Sequence, residues 1–420
     1  MIFGEKKTEL KVLFVVMLAW GAASGCAPSL EQREINSARA TEALRDGHFE
    51  DAESSAMKVL DDDAGDPFAG IVAAISLYKR TMHDLFVDGQ TVIIGAVATG
   101  NLNQRYLKES LDRVADDLAR VDKLLDAAAN EPRVSLEICL ACWEVDWNHN
   151  GTIDRFDEHL MEVEQDVYER EYEQGDPRRR PTFRFDHGDV LWASAFISFQ
   201  RAAVDLIRAF DWSQMGYMFR GGIFGSRGET PERIRFKLTS PELVASARQQ
   251  ILDGLDLSDA AREAYLKETD DDREWLPNPR QKDHPLPMPV DTALYNTWES
   301  VVDDVRRIVR GEEGLSVAEL AQLGDHQWDN PPRGYVDIGK MLSEPRDIVL
   351  EIKTLDEIDD HSDRKTRRQM ERALKVILGD YYVRRIARSP LLRRAKRMKR
   401  EVEAGRESID RKLKYLIWIN

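Results

Sequence analysis

An all-α protein, a bundle of many helices, is the fold class this sequence predicts, and three observations predict it. Apolar residues recur at helical spacing over long stretches, alternating strand patterns are few and short, and prolines gather between the periodic blocks. The chain has 420 residues, enough for two or three domains. Its net charge of −16 suits a soluble body and argues against nucleic-acid binding.

Residues 1–25 read as an export signal: Lys6, Lys7 and Lys11 precede an apolar run from Val12 to Trp20, and small residues lead to Cys26. The run is too short for a hydrocarbon core that needs about 20 apolar residues. Ala23-Ser24-Gly25-Cys26 resembles a bacterial lipobox, with Ala23 where leucine is usual. That resemblance implies Cys26 as the lipidated first residue of the mature chain. Ala27 in place of aspartate implies the outer membrane as the destination. An ordinary signal peptide cut near Ala23 is the alternative.

In residues 26–135, small side chains sit where two helices would touch: Ala40 and Ala43 on the first, Ala52 and Ala56 on the second, with Gly47 and Phe49 at the turn. The stretch resembles one tetratricopeptide-type helical hairpin, which implies a TPR-like α-solenoid scaffold with a groove for a partner. It covers one repeat, and any amphipathic helix pair with a glycine turn gives the same pattern. Further on, "DLFVDGQTVIIGAVATGN" reads as a buried helix. Leu111, Val114, Ala115, Leu118, Val121, Leu124 and Leu125 form a helical stripe after it.

Residues 136–165 hold the most specific signal. Cys139 and Cys142 are spaced for a local disulfide or two buried thiols, and no second such pair exists to complete a zinc site. After them come Asp146, Asn148, Asn150, the Thr152 carbonyl, Asp154 and Asp157, with Gly151 between. Those are positions one, three, five, seven, nine and twelve of a loop that must bring six or seven oxygens around one ion. The segment resembles an EF-hand loop of the dockerin-like kind. The resemblance implies Ca2+, helices ending near Val145 and beginning near Phe156, and Ile153 anchoring the loop to the core. Asp157, shorter than the usual glutamate, and only three carboxylates point to weak binding, about 10⁻⁴ to 10⁻³ M. No second loop of this kind occurs, so a structural clamp fits better than a switch; a chance turn rich in Asp and Asn is the alternative.

Residues 166–270 carry the longest stripe, Leu191 to Phe210 through Trp192, Phe196 and Phe199, preceded by His187 and Asp189. The glycines of "MFRGGIFGSRGE" lack the lysine of a phosphate loop and read as a loop exposing Phe219 and Phe224. In residues 271–345, Pro277, Pro279, Pro285, Pro287 and Pro289 make an irregular strap. Leu294 to Val309 form a helix, and Ser316 with Glu319 forms a capping box. Residues 346–420 invert the charge: from Arg364 to Arg400 only Glu371 and Asp380 interrupt the basic residues. Such helices either pair with the acidic body or contact an anionic surface.

The expectation is a lipid-anchored, calcium-binding helical scaffold or adaptor of the bacterial envelope that contacts another envelope protein. No nucleophile elbow or His-Glu-x-x-His pair is present. One alternative is a periplasmic hydrolase using His187 and Asp189. Another is a small-ligand-binding lipoprotein, which requires an enclosed apolar cavity between the aromatic helices near Trp192, Phe196 and Phe199.

Overall fold

The computed structural model describes residues 30–99, 102–146, 150–164, 170–216, 232–285, 291–320, 331–351 and 364–404. The export signal, Cys26, Asn148, Phe219, Phe224, Pro287 and Pro289 lie outside them.

The N-terminal half is a run of helices packed each on the next. Helices α1 (Leu30–Arg45) and α2 (Phe49–Asp62) form a hairpin, with Ala40, Ala43, Ala52 and Ala56 buried at the contact. Small side chains let the two backbones approach, as the sequence implied. Helix α3 (Pro67–Thr99) begins where the Asp66 carboxylate accepts the Ala69 amide at 2.9 Å. Helix α4 (Gln104–Ala129) returns against it, capped by Asn103, whose side chain accepts the Tyr106 amide at 3.1 Å. Along α4 the stripe is buried at Leu111, Val114, Leu118, Val121 and Leu125 and half-buried at Ala115 and Leu124. The far end of α3 departs from the expected buried helix: Val92 and Ala96 face inward, while Phe86, Val87, Ile93 and Ile94 are exposed.

Strand β1 (Ser135–Ile138) pairs antiparallel with β2 (Phe183–Asp186), from Ser135 opposite Asp186 to Ile138 opposite Phe183. Between them lies the short helix α5 (Arg155–Leu160). Helix α6 (His187–Arg208) follows β2 directly and packs on α4 and on α7 (Pro241–Lys267). The contact of α6 with α7 is close because Gly254 has no side chain: a Cβ there would lie 2.7 Å from the Phe199 ring and 3.1 Å from the Ala195 carbonyl oxygen. Helix α6 is long and apolar enough to cross a membrane, but half of that stretch is buried inside the fold, which is how a core helix looks.

The remaining elements are smaller. Strands β3 (Phe210–Asp211) and β4 (Arg233–Leu238) precede α7, and α8 (Thr292–Arg310) packs on it. They are followed by β5 (Glu313–Ser316), α9 (Val317–Leu320), β6 (Tyr335–Val336), α10 (Ile338–Ser343), β7 (Ile348–Glu351), α11 (Arg364–Leu378), β8 (Tyr382–Val383), β9 (Ala387–Arg388) and α12 (Leu391–Ala404).

The all-α expectation is therefore met only in outline: twelve helices dominate the described residues, beside sheets of order β1-β2, β3-β4-β7 and β8-β6-β5-β9. Their strands run two to six residues, too short for a period-two pattern to stand out. The basic C-terminal helices are partly tied to the body. Arg394 reaches Asp304 at 2.8 Å, and Asp304 is wholly buried. Arg388 and Arg393 both engage Glu319, the side chain expected to complete a capping box.

Candidate ligand cavity and acidic cluster

The helices α3, α4 and α6 do not close completely on one another. They leave a half-open cavity of about 190 Å3 with an almost wholly apolar lining. Helix α3 presents Ala74, Ile75, Tyr78 and Lys79, and α4 presents Val121 and Leu125. Ile138, Leu140 and Trp143 form one rim, Phe185 and Trp275 another. From α6 come Asp189, Trp192, Ala193, Phe196 and Ile197. Trp192 and Phe196 line the cavity. Phe199 does not, because its ring packs against Gly254. The ligand-binding alternative required an enclosed cavity, and this one is half-open.

The aromatic walls are fixed in place by specific contacts. The Trp143 indole N–H donates to the Leu44 carbonyl at 2.7 Å and the ring meets Phe49 edge-on at 5.3 Å. Trp275 packs on Phe183 and Phe185 with centroids 4.9 and 5.1 Å away. The half-buried Lys79 ammonium lies 5.3 Å from the Trp143 ring, a cation–π contact, and burial lowers its pKa to about 8.

The sequence suggested His187 and Asp189 as a catalytic pair, and the structure gives each a different partner. His187 Nε2 lies 2.9 Å from the Ala129 carbonyl, so that nitrogen donates. Asp189 accepts from the Tyr265 hydroxyl at 2.7 Å and from the Asp186 amide at 2.9 Å. With Asp186 accepting the Gly188 amide at 2.9 Å, these bonds form a reciprocal cap on α6. Burial first, then the neighbouring Asp186, raises the Asp189 carboxyl well above its ordinary range.

Asp186 belongs to a second constellation. One oxygen from each of Asp186, Glu268 and Glu274 lies within 4.8 Å of the others, an arrangement able to bind a metal ion. Asp186 and Glu274 are buried, and Glu268 Oε2 is buried with no hydrogen-bond partner. Desolvation raises all three carboxyls, and the Asp186 charge adds to it at the other two: Glu268 is pushed up to about 8 and Glu274 to about 7. Beside them opens a more polar cleft of about 510 Å3, lined by Arg184, His187, Lys267 and Asp270 among others. A divalent cation among these carboxylates would compete with protons for them, since burial raises all three.

Asp146, Asn150, Thr152, Asp154 and Asp157 are brought together in one compact turn; Asn148 falls outside the described residues. Asp146 accepts the Asn150 and Gly151 amides at 3.2 and 2.7 Å, with Gly151 in the left-handed region at φ 88°. Asn150 donates to Asp154 at 2.8 Å and accepts the Thr152 amide at 2.9 Å, while the buried Asp157 accepts the Asp154 amide at 2.9 Å. Helix α5 starts at Arg155, close to the expected Phe156. On the other side the residues differ from expectation: a 3-10 turn, Leu140–Cys142, precedes the loop in place of a helix. The disulfide between Cys139 and Cys142 closes that turn, with Cα atoms 5.3 Å apart. Ile153 is 49% exposed and does not anchor the loop. That task falls to Trp143 and Val145 on one side and to Val163, packed on Phe183 and Trp275, on the other.

Lys79, Trp275, Glu268 and Glu274 carry no local signature and escape sequence reasoning; only long-range packing brings them to these sites. Comparison with protein-family models, with curated proteins and with solved structures finds no match, so the reading of this chain rests on its own geometry.

Proposed function

We propose that the chain is a lipid-anchored helical binding protein of the bacterial envelope, braced by Ca2+, that holds a small apolar ligand between α3, α4 and α6. The aromatic cavity carries this reading. Its lining is apolar with few polar atoms, as in small-molecule sites, and its volume exceeds the roughly 150 Å3 of an apolar cavity that admits benzene. A hydrolase is less well supported, since the His187 and Asp189 hydrogen bonds go to Ala129 and Tyr265 instead of to each other. Calcium is supported by the spacing of Asp146, Asn148, Asn150, Thr152, Asp154 and Asp157 and by the Asp146 bonds that shape the turn. The lipid anchor rests on the sequence around Cys26.

Toluene titrated into the mature protein should give a saturable change in tryptophan fluorescence, because Trp143, Trp192 and Trp275 line the cavity. Ala193→Leu, which fills the cavity, should abolish it. No saturable response up to the solubility limit of toluene would remove the ligand-binding reading.

A second reading, an adaptor for an envelope protein, draws on the exposed Phe86, Val87, Ile93 and Ile94 at the end of α3. Crosslinking from that face in intact cells, compared with an Ile93→Asp/Ile94→Asp variant, tests it; equal crosslinking from both proteins would count against it.

A further inference from the structure

Helix α11 carries a cationic ridge, and we infer that this ridge docks on the phosphate headgroups of an anionic lipid surface. Arg368, Arg372 and Lys375 are spaced four and three residues apart, so they share one side of the helix. All three are exposed, and among the described residues none has a carboxylate partner. The opposite side of α11 faces the body: Ala373 is buried, and Met370, Leu374 and Ile377 are half-buried. The ridge runs about 10 Å along the helix, and Val376, 44% exposed, lies at its edge.

Composition does not account for the missing partners. The chain has 76 acidic against 60 basic side chains, and neighbouring cations are matched. Arg367 lies 3.7 Å from Glu371, Arg394 lies 2.8 Å from Asp304, and Arg388 and Arg393 share Glu319. On the ridge, like charges one turn apart repel one another instead. The first turn of α11 contains no acidic residue, so the positive end of the helix dipole adds to the same field. An external anion offsets both costs.

The shape of the ridge selects the anion. On the convex outer side of a helix, a single phosphate ion leaves most of the ridge unmatched, while a layer of phosphates meets all three cations at once. Basic side chains near an anionic leaflet contribute additively to binding. A lipid layer is preferred to duplex nucleic acid, which also presents a phosphate array, on two grounds. It gives the exposed Val376 an apolar boundary to enter, and an anchor at Cys26 would hold the chain at a membrane. The second ground rests on the lipid-anchored reading.

The test is flotation of the mature chain carrying Cys26→Ser with vesicles of phosphatidylcholine alone or mixed with phosphatidylglycerol. Binding should require phosphatidylglycerol and should weaken as salt rises, because the contact is exposed and screened. The triple variant Arg368→Gln/Arg372→Gln/Lys375→Gln should bind about a hundredfold more weakly; glutamine is a good helix former, and an unchanged circular dichroism spectrum shows that α11 persists. Arg39→Gln/Lys58→Gln/Lys108→Gln removes three exposed cations elsewhere and should leave most of the binding. Equal loss in the two triple variants, or equal binding to both vesicle types, would overturn the ridge as a docking surface. Inorganic phosphate at matched ionic strength should not compete; full competition would assign a site for the free ion instead. Tighter binding to duplex DNA than to anionic vesicles at equal phosphate would overturn the lipid assignment. Vesicle binding by the Cys26→Ser chain does not depend on lipidation, so failure of the ridge and failure of the anchor are separate results.

Discussion

Glu268→Gln in the acidic cluster should stabilise the protein at pH 7.5 and do almost nothing at pH 4. In the folded chain Glu268 is pushed from 4.5 up to about 8 by desolvation and by Asp186. A carboxyl with a raised pKa keeps its full stability below the unfolded value and loses it as pH rises through the folded one, because the unfolded chain then binds fewer protons. Between 4.5 and 7.5 there are three pH units at about 1.4 kcal/mol each, an upper figure near 4 kcal/mol. Water at the partly exposed side chain reduces it to roughly 2 kcal/mol. At about 2.1 cal/mol/K per residue, a mature chain of roughly 400 residues should gain about 2–3 °C in Tm. Glutamine also places an amide where Oε2 is buried without a hydrogen-bond partner, able to donate to a neighbouring carboxylate. The assay is thermal unfolding by circular dichroism in chelator at pH 4, 6 and 7.5. A loss of Tm at pH 7.5, or the same shift at pH 4 and 7.5, would refute the reasoning. Adding a divalent cation to the unmodified protein at pH 7.5 should raise Tm by trading protons for metal, and that rise should shrink in the variant.

Two further outcomes are expected. Gly254→Ala inserts a methyl 3.1 Å from the Ala195 carbonyl, where backbone cannot retreat, and crowds the Phe199 ring; overpacking of about 1–3 kcal/mol less the roughly 1 kcal/mol helical advantage of alanine should lower the urea midpoint, and an unchanged midpoint would show that α6 and α7 separate freely. Cys26→Ser should move the protein from the membrane fraction to the soluble one, and unaltered fractionation would remove the lipid anchor.

The helices were legible because their apolar period repeats over many turns: Leu111, Val114, Leu118, Val121 and Leu125 are buried, and so are Leu191, Ala195 and Ala202, although Trp192, Phe196 and Phe199 of the same stripe are half-buried and Ala203 and Ile207 are exposed. The small strands were not, since two-residue pairings such as Tyr335–Val336 with Tyr382–Val383 arise from tertiary contact without a pattern of their own. The end of α3 misled for a related reason. Val92 and Ala96 are buried and Ile93 and Ile94 exposed on the same apolar stretch, and composition alone does not say which face has a neighbour. Around the candidate sites, sequence reasoning found residues that cluster along the chain, Asp146 to Asp157 and Trp192 with Phe196. It missed those that converge from far apart, as Lys79 does on Trp143 and Glu268 and Glu274 do on Asp186.

The turn from Asp146 to Asp157 and the cavity share a wall, and this gives the turn a mechanical consequence. Trp143 and Leu140, just before the loop, line the cavity, and Val163, just after it, packs on Trp275, which lines it too. One end is already pinned by the Cys139–Cys142 disulfide and by the Trp143 bond to Leu44 at 2.7 Å. In the turn between, Asp146 and Asp157 accept backbone amides and Asp154 accepts the Asn150 side chain, so three carboxylates sit in one short segment. Bound Ca2+ would bridge them and hold the two rims at a fixed separation. Chelation is therefore expected to weaken toluene binding by a few-fold without unfolding the helices. Asp146→Ala should reproduce that weakening even in calcium. Ligand affinity identical in calcium and chelator would show that the loop and the cavity act independently, leaving the brace confined to the turn itself.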